Sequence, residues 1–250
     1  MRIMLADNNE EMSKKAAAIV RSQIILKPDC VLGLATGDTP IGMYQELIKM
    51  YENKEVDFSE VTIFNLDEYC SLKRENAQSY YYYMHHNFFK YINVKEENTY
   101  IPNGIAPDID EECGNYERQI KNKGGIDLQV LGIGANGHIG FNEPDINFEA
   151  ETHLVKLDKM TIEANSRFFR SKAEVPTLAI SMGIKTIMQS RMIVLLANGE
   201  TKADAIYKTV KGKIRPEVPA SIIQLHPNAT IIIEKNAAKQ LVPGIPGKDI

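Results

Sequence analysis

Residues 131–144 read LGIGANGHIGFNEP. A short apolar segment passes into a Gly-rich turn that presents Asn136, His138 and Glu143 within eight residues. The glycines let the backbone turn tightly and approach a ligand closely. An imidazole between an amide and a carboxylate is suited to moving protons near neutral pH. Residues 127–131, which feed the turn, read as a buried strand. A strand that runs straight into a Gly-rich, chemically equipped turn is the junction from which the rest of the chain is read.

Outward from it, apolar runs at 2–6, 30–35, 61–66, 177–181, 192–197 and 230–234 read as further strands. Met12, Ala16, Ile19, Val20 and Ile24 follow helical spacing over 10–24. Helices are also expected from Thr39-Pro40 to about Glu52, and over 77–90, 110–122 and 201–211. Thr39 reads as the N-cap there and Pro40 as the first helical residue. Strands and helices alternate nearly throughout. The fold class predicted is α/β: a three-layer, mainly parallel, doubly wound (Rossmann-like) sheet with helices on both faces. Residues 1–250 read as one domain without internal repeats. Residues 144–176 fit the alternation least, and are expected to form either a lid or an irregular insertion. The Pro/Gly-rich tail, VPGIPGKDI (242–250), is expected to be irregular.

Hydrophobic residues make up 44% of the chain, enough for a packed core, and the net charge is −4. With no block of Lys or Arg, neither nucleic acid nor an anionic membrane is an expected partner. No apolar run approaches the roughly 18 residues needed to span a bilayer. The first fifteen residues turn polar by Asp7 and offer no signal-peptide core. Cys30, Cys70 and Cys113 are odd in number, widely spaced and outside any CxxC pattern. That argues against a disulfide framework or a zinc site and for reduced thiols in a cytoplasm.

Ligands of open parallel sheets bind at the carboxyl ends of the strands. Three predicted strands end in unusual residues: Thr36-Gly37-Asp38-Thr39, Asp67-Glu68-Tyr69, and the 131–144 motif. In a parallel sheet all three ends share one edge. The 36–39 turn precedes a helix, where free amides and the helix dipole favour a phosphate; a purely structural turn is the alternative. No Gly-Lys-Ser/Thr follows, so it is not a Walker loop. Lys202 falls in the first turn of a predicted helix, where a cation opposes the dipole at a cost of roughly 0.3–1 kcal/mol. Either a bound phosphate compensates or the side chain snorkels into solvent. Arg167, in ANSRFF, offers a bidentate guanidinium or a solvated helix face. Asp67 reads equally as a general base or as a structural cap. The tyrosines of SYYYY (79–83) read as amphipathic packing.

The segments GLATGDTP (33–40), NLDEY (65–69), SYYYYMHHNFF (79–89), GIGANGHIGFNEP (132–144) and ANSRFF (164–169) resemble the glucosamine-6-phosphate deaminases, in the family's order and over essentially the whole chain. The resemblance implies conversion of D-glucosamine 6-phosphate and water to D-fructose 6-phosphate and ammonia, in amino-sugar catabolism, with no metal or organic cofactor. It implies that His138 opens the pyranose ring, with Glu143 and Asn136 tuning the imidazole. Asp67 then moves a proton from C2 to C1 through an enolamine. Thr36, Gly37, Asp38, Thr39, Arg167 and Lys202 fall at the phosphate site. The 6-phosphogluconolactonases and sugar-phosphate-sensing domains share the fold and supply the alternative functions, a lactone esterase and a non-catalytic sensor.

The chain departs from the family pattern at three places. Asn136 stands where many members carry Asp, which leaves Glu143 as the main anionic partner of His138. Asp38 stands where Gly or Ser is usual; a carboxylate beside a phosphate would repel it, so either its side chain points away or substrate affinity is reduced. Ile146, His153 and Val155 stand where allosterically activated hexamers place Ser, Arg and Lys. A monomer without activation by N-acetylglucosamine 6-phosphate is therefore expected.

Overall fold

In the computed structural model, residues 1–241 are described; the 242–250 tail, expected to be irregular, lies outside the described residues. Seven parallel strands form the central sheet: β1 (Arg2–Ala6), β2 (Val31–Leu34), β3 (Thr62–Asn65), β5 (Thr99–Tyr100), β6 (Leu128–Leu131), β9 (Met192–Ala197) and β10 (Ala229–Glu234), in the order β1-β10-β9-β6-β2-β3-β5. The chain winds outward from β2 through β3 to β5, then returns to β6 on the other side of β2. The crevice between the ends of β2 and β6 is thus the switch point where open α/β sheets place their ligands.

Both faces of this sheet are covered, and so its strands are nearly continuously apolar. Leu32, Leu34, Val130, Val194, Leu196 and Ile232 face α1 (Asn9–Leu26) and α2 (Ile41–Glu52). Their alternating neighbours Val31, Leu131, Ile193, Leu195, Ile231 and Ile233 face α4 (Ile109–Asn122), α6 (Ile184–Met188) and α7 (Ala203–Lys211). Each such side chain contributes roughly 1.5–3 kcal/mol by leaving water. The helix α1 starts where Asn8 accepts the Glu11 amide at 2.9 Å and Glu11 accepts the Asp7 amide at 2.6 Å, a reciprocal cap.

The sheet is not the whole architecture. A second, three-stranded antiparallel sheet joins β4 (Asp67–Tyr69), β8 (Leu178–Ser181) and β7 (His153–Lys156). This corrects the expectation that 177–181 extends the parallel sheet. The chain changes sheets at Leu66, whose amide bonds Leu34 in the main sheet and whose carbonyl accepts from Met182. Residues 144–176 contain β7, α5 (Lys159–Asn165) and the short turn Ser166–Phe168. Among the described residues, no helix is long and apolar enough to cross a membrane.

Candidate active site

A cavity of about 860 Å³ opens at the carboxyl ends of β2, β6 and β9 and beneath α5. Thr36, Gly37, Asp38, Thr39, Asp67, Asn136, His138, Arg167 and Lys202 all line it. Glu143 stands just behind, bonded to His138.

The proton-handling end is built by the Gly-rich loop. His138 Nδ1 lies 3.1 Å from Glu143 Oε2, and the Asn136 amide donates to the same oxygen at 2.9 Å. Asn136 Oδ1 accepts the His138 backbone N–H at 3.2 Å. Asn136 therefore acts on the carboxylate and the loop, while Glu143 meets the ring. Burial pushes the Glu143 carboxyl upward, but His138, Thr161 and Asn136 outweigh it and hold it below its ordinary value. Gly134 is required by the ring itself: a Cβ there would sit 2.4 Å from His138 Cε1. The loop is anchored from below, where Asn142 donates to Ile139 and Met182 carbonyls and Ser181 Oγ accepts the Phe141 amide.

Asp67 occupies the corner between the two sheets, paired in register with Ser181. It is 6% exposed. Burial first, and the neighbouring Glu68 second, push its carboxyl up to about 8. A Cβ on Gly140 would lie 3.6 Å from Asp67 Oδ2, which places the carboxylate against the loop that carries His138. Glu68 turns the other way. Its oxygens accept the backbone amides of Tyr69, Tyr80 and Tyr81 at 2.8–2.9 Å and so anchor α3 (Tyr80–Asn87).

The opposite end is cationic. Gly37 takes a φ of +93°, which favours glycine. Pro40, not Thr39, occupies the N-cap position of α2, and no side chain caps the helix. The Thr39 hydroxyl is drawn away instead, donating to Asn198 Oδ1 at 2.9 Å. Lys202 is half-buried in the turn before α7, where burial and then Arg167 lower its pKa. Arg167, on the turn after α5, pairs with Asp38 at 2.5 Å.

Sequence reasoning missed the supports. Tyr83 and Tyr44 donate to the Gly37 and Ala35 carbonyls, each at 2.5 Å. Tyr80 lines the cavity, its ring stacked 6.0 Å from that of Phe141. The SYYYY run is thus more than amphipathic packing: Tyr80 and Tyr83, three apart, share the helix face that meets the site. Glu234 at the end of β10 accepts the Gly199 amide at 3.1 Å and steadies the turn that delivers Lys202. Nothing local in the sequence links Glu234 to that turn.

A smaller cavity of about 200 Å³ lies on the far side of Glu143, lined among others by Asp145, His153, Val155 and Lys156. Val155 there packs into an aromatic cluster, His153 bonds the Glu151 carbonyl, and Ile146 projects into solvent. Among the described residues, no group of three or more His, Cys, Asp or Glu is arranged to hold a metal ion.

Comparison with known proteins fits this arrangement. Residues 6–232 match the model of the glucosamine-6-phosphate isomerases/6-phosphogluconolactonase family. The chain is 64% identical over 241 residues to a glucosamine-6-phosphate deaminase of Clostridium botulinum, covering 96% of this chain and 99% of that one. It is 65% identical over 241 residues to the Clostridium acetobutylicum enzyme of the same name, covering 96% and 100%. A solved structure described as a monomeric glucosamine-6-phosphate deaminase superposes with a TM-score of 0.94 at 44% identity, covering 96% and 99%. The 6-phosphogluconolactonase of Thermotoga maritima, at 17% identity, 94% and 99% coverage and a TM-score of 0.75, shares the fold. By its sequence over nearly its full length and by its fold, the chain belongs to the family of glucosamine-6-phosphate isomerases and 6-phosphogluconolactonases.

Proposed function

We propose that this protein converts D-glucosamine 6-phosphate and water to D-fructose 6-phosphate and ammonia. The observation that carries the reading is one cavity holding a buried carboxylate and a His–Glu pair at one end and two cations at the other. In the mechanism proposed, Lys202, Arg167 and the 36–39 loop grip the phosphate. His138, its imidazole backed by the ionised Glu143, accepts the C1 hydroxyl proton and returns it to the ring oxygen, opening the ring. Asp67 takes the C2 proton, leaving an enolamine, and delivers it to C1. The resulting C2 imine adds water and releases ammonia, giving the ketose. A carboxyl pushed up to about 8 is poised near working pH, where a general base is most effective. The positive charge of the ammonium at C2 favours the ionised carboxylate as the two approach, so Asp67 loses its proton to solvent and stands ready as the base.

The test is to incubate the protein with glucosamine 6-phosphate and measure ammonia and fructose 6-phosphate together. Equimolar release supports the reading. Acid release from 6-phosphogluconolactone without deamination assigns an esterase instead, and binding without turnover assigns a sensor.

The same reading makes the chain a single domain with a lid within 144–176, since Thr161, Asn165 and Arg167 reach the cavity from that segment. A monomer without N-acetylglucosamine 6-phosphate activation follows from Ile146, His153 and Val155, none of which offers the cation of Arg or Lys. Three buried free thiols suit a cytoplasmic location.

A further inference from the structure

Asp38 puts a carboxylate in the 36–39 loop that lines the cavity. Its carboxylate is not idle. Arg167, 129 residues away in sequence, reaches down from the lid and places Nη2 2.5 Å from Asp38 Oδ2. The side chains are 64% and 52% exposed, so water and other anions reach the pair. The guanidinium is braced on another side by the Phe168 ring, 4.6 Å from Cζ to the centroid. Arg167 also lies near enough to Lys202 to lower its pKa. Two cations and one carboxylate thus share the mouth of the cavity.

We propose that Asp38 is a positioning residue for Arg167. It acts as a tethered anion that holds the arginine and the lid over the empty site and gives the guanidinium up to the incoming phosphate. This rests on the phosphate site proposed above. The exchange favours the ligand, because an exposed ion pair is worth little, whereas a phosphate offers several oxygens and up to two charges to a planar fork. Asp38 then remains beside the bound phosphate as a like charge. Its presence lowers affinity for every phosphorylated ligand, product included, while keeping the lid ordered between turnovers.

The test compares the full-length protein with Asp38→Asn and Asp38→Ser, using inorganic phosphate as the probe. Calorimetry gives its Kd, and hydrogen–deuterium exchange reports on residues 158–168. The expected result is a Kd lowered about two- to fivefold, the scale of one exposed ion pair. Exchange over 158–168 is faster in the empty variants and matches the unsubstituted protein at saturating phosphate. A merely structural loop residue would not tighten phosphate binding. An unchanged or raised Kd, or unchanged exchange in the empty variants, overturns the proposal and leaves the phosphate site standing. Phosphate binding to none of the three proteins overturns both.

Discussion

Asp67 and Glu68 are consecutive buried carboxylates with opposite surroundings. Alternation along β4 sends their side chains to opposite faces. Asp67 faces the cavity, and Glu68 accepts three backbone amides where α3 begins. Burial raises both, and with their neighbours counted Asp67 reaches about 8 and Glu68 about 7. The amides hold Glu68 below where burial alone would take it, and its charge then raises Asp67 further.

Replacing Glu68 by Gln removes that charge. The Asp67 carboxyl ionises more easily, so the acidic limb of the kcat/KM–pH profile is expected to move to lower pH. The amide also brings N–H groups against backbone donors, costing about 1–3 kcal/mol of stability. A limb that stays in place would detach Glu68 from the base.

Asp67→Asn is expected to cut kcat by roughly 10²–10⁴ with ligand affinity nearly intact. It should also change stability. The folded value, about 8, lies above the ordinary 3.8, so the folded state holds the proton more tightly than the unfolded one. The corresponding stability is fully present below pH 4 and is lost as pH rises toward 8, by up to about 1.4 kcal/mol per pH unit. The unliganded Asn variant should lack this decline and be the more stable protein at pH 8, as measured by urea unfolding across that window.

Lys202 is half-buried and Arg167 mostly exposed, so salt and water screen the arginine more. Lys202→Met should therefore raise KM for the hexosamine phosphate more than Arg167→Ala does. The Arg167 effect should also fade first as ionic strength rises. Steady-state kinetics at two salt concentrations decide it.

Gly134→Ala places a methyl within 2.4 Å of the His138 ring. The ring must leave its pairing with Glu143, and kcat should fall at least tenfold while the fold persists. Circular dichroism and the His138 imidazole NMR signals separate this from unfolding. Equal kcat would show that the loop relaxes around the methyl.

Much of the architecture was legible because it is encoded by near neighbours. Strand and helix periods and the β6 junction depend on residues a few positions apart; the Thr39 cap did not hold, because its hydroxyl bonds Asn198, 159 residues away. The second sheet was not, since Leu66 changes sheets without any break in the apolar pattern. Nor were Tyr83 on Gly37 or Glu234 on Gly199, whose partners lie 46 and 35 residues away.

The sequence by itself determined the parallel α/β order, the meeting of three strand ends on one edge, and the residue types gathered there. Periodicity and strand direction suffice for that. Only the tertiary structure decided which carboxylate is dry and which is held by amides, that Asn136 donates to the Glu143 carboxylate, and that Asp38 pairs with Arg167. Burial, pKa and ion pairing depend on atoms brought together from distant parts of the chain, and no local pattern records those distances.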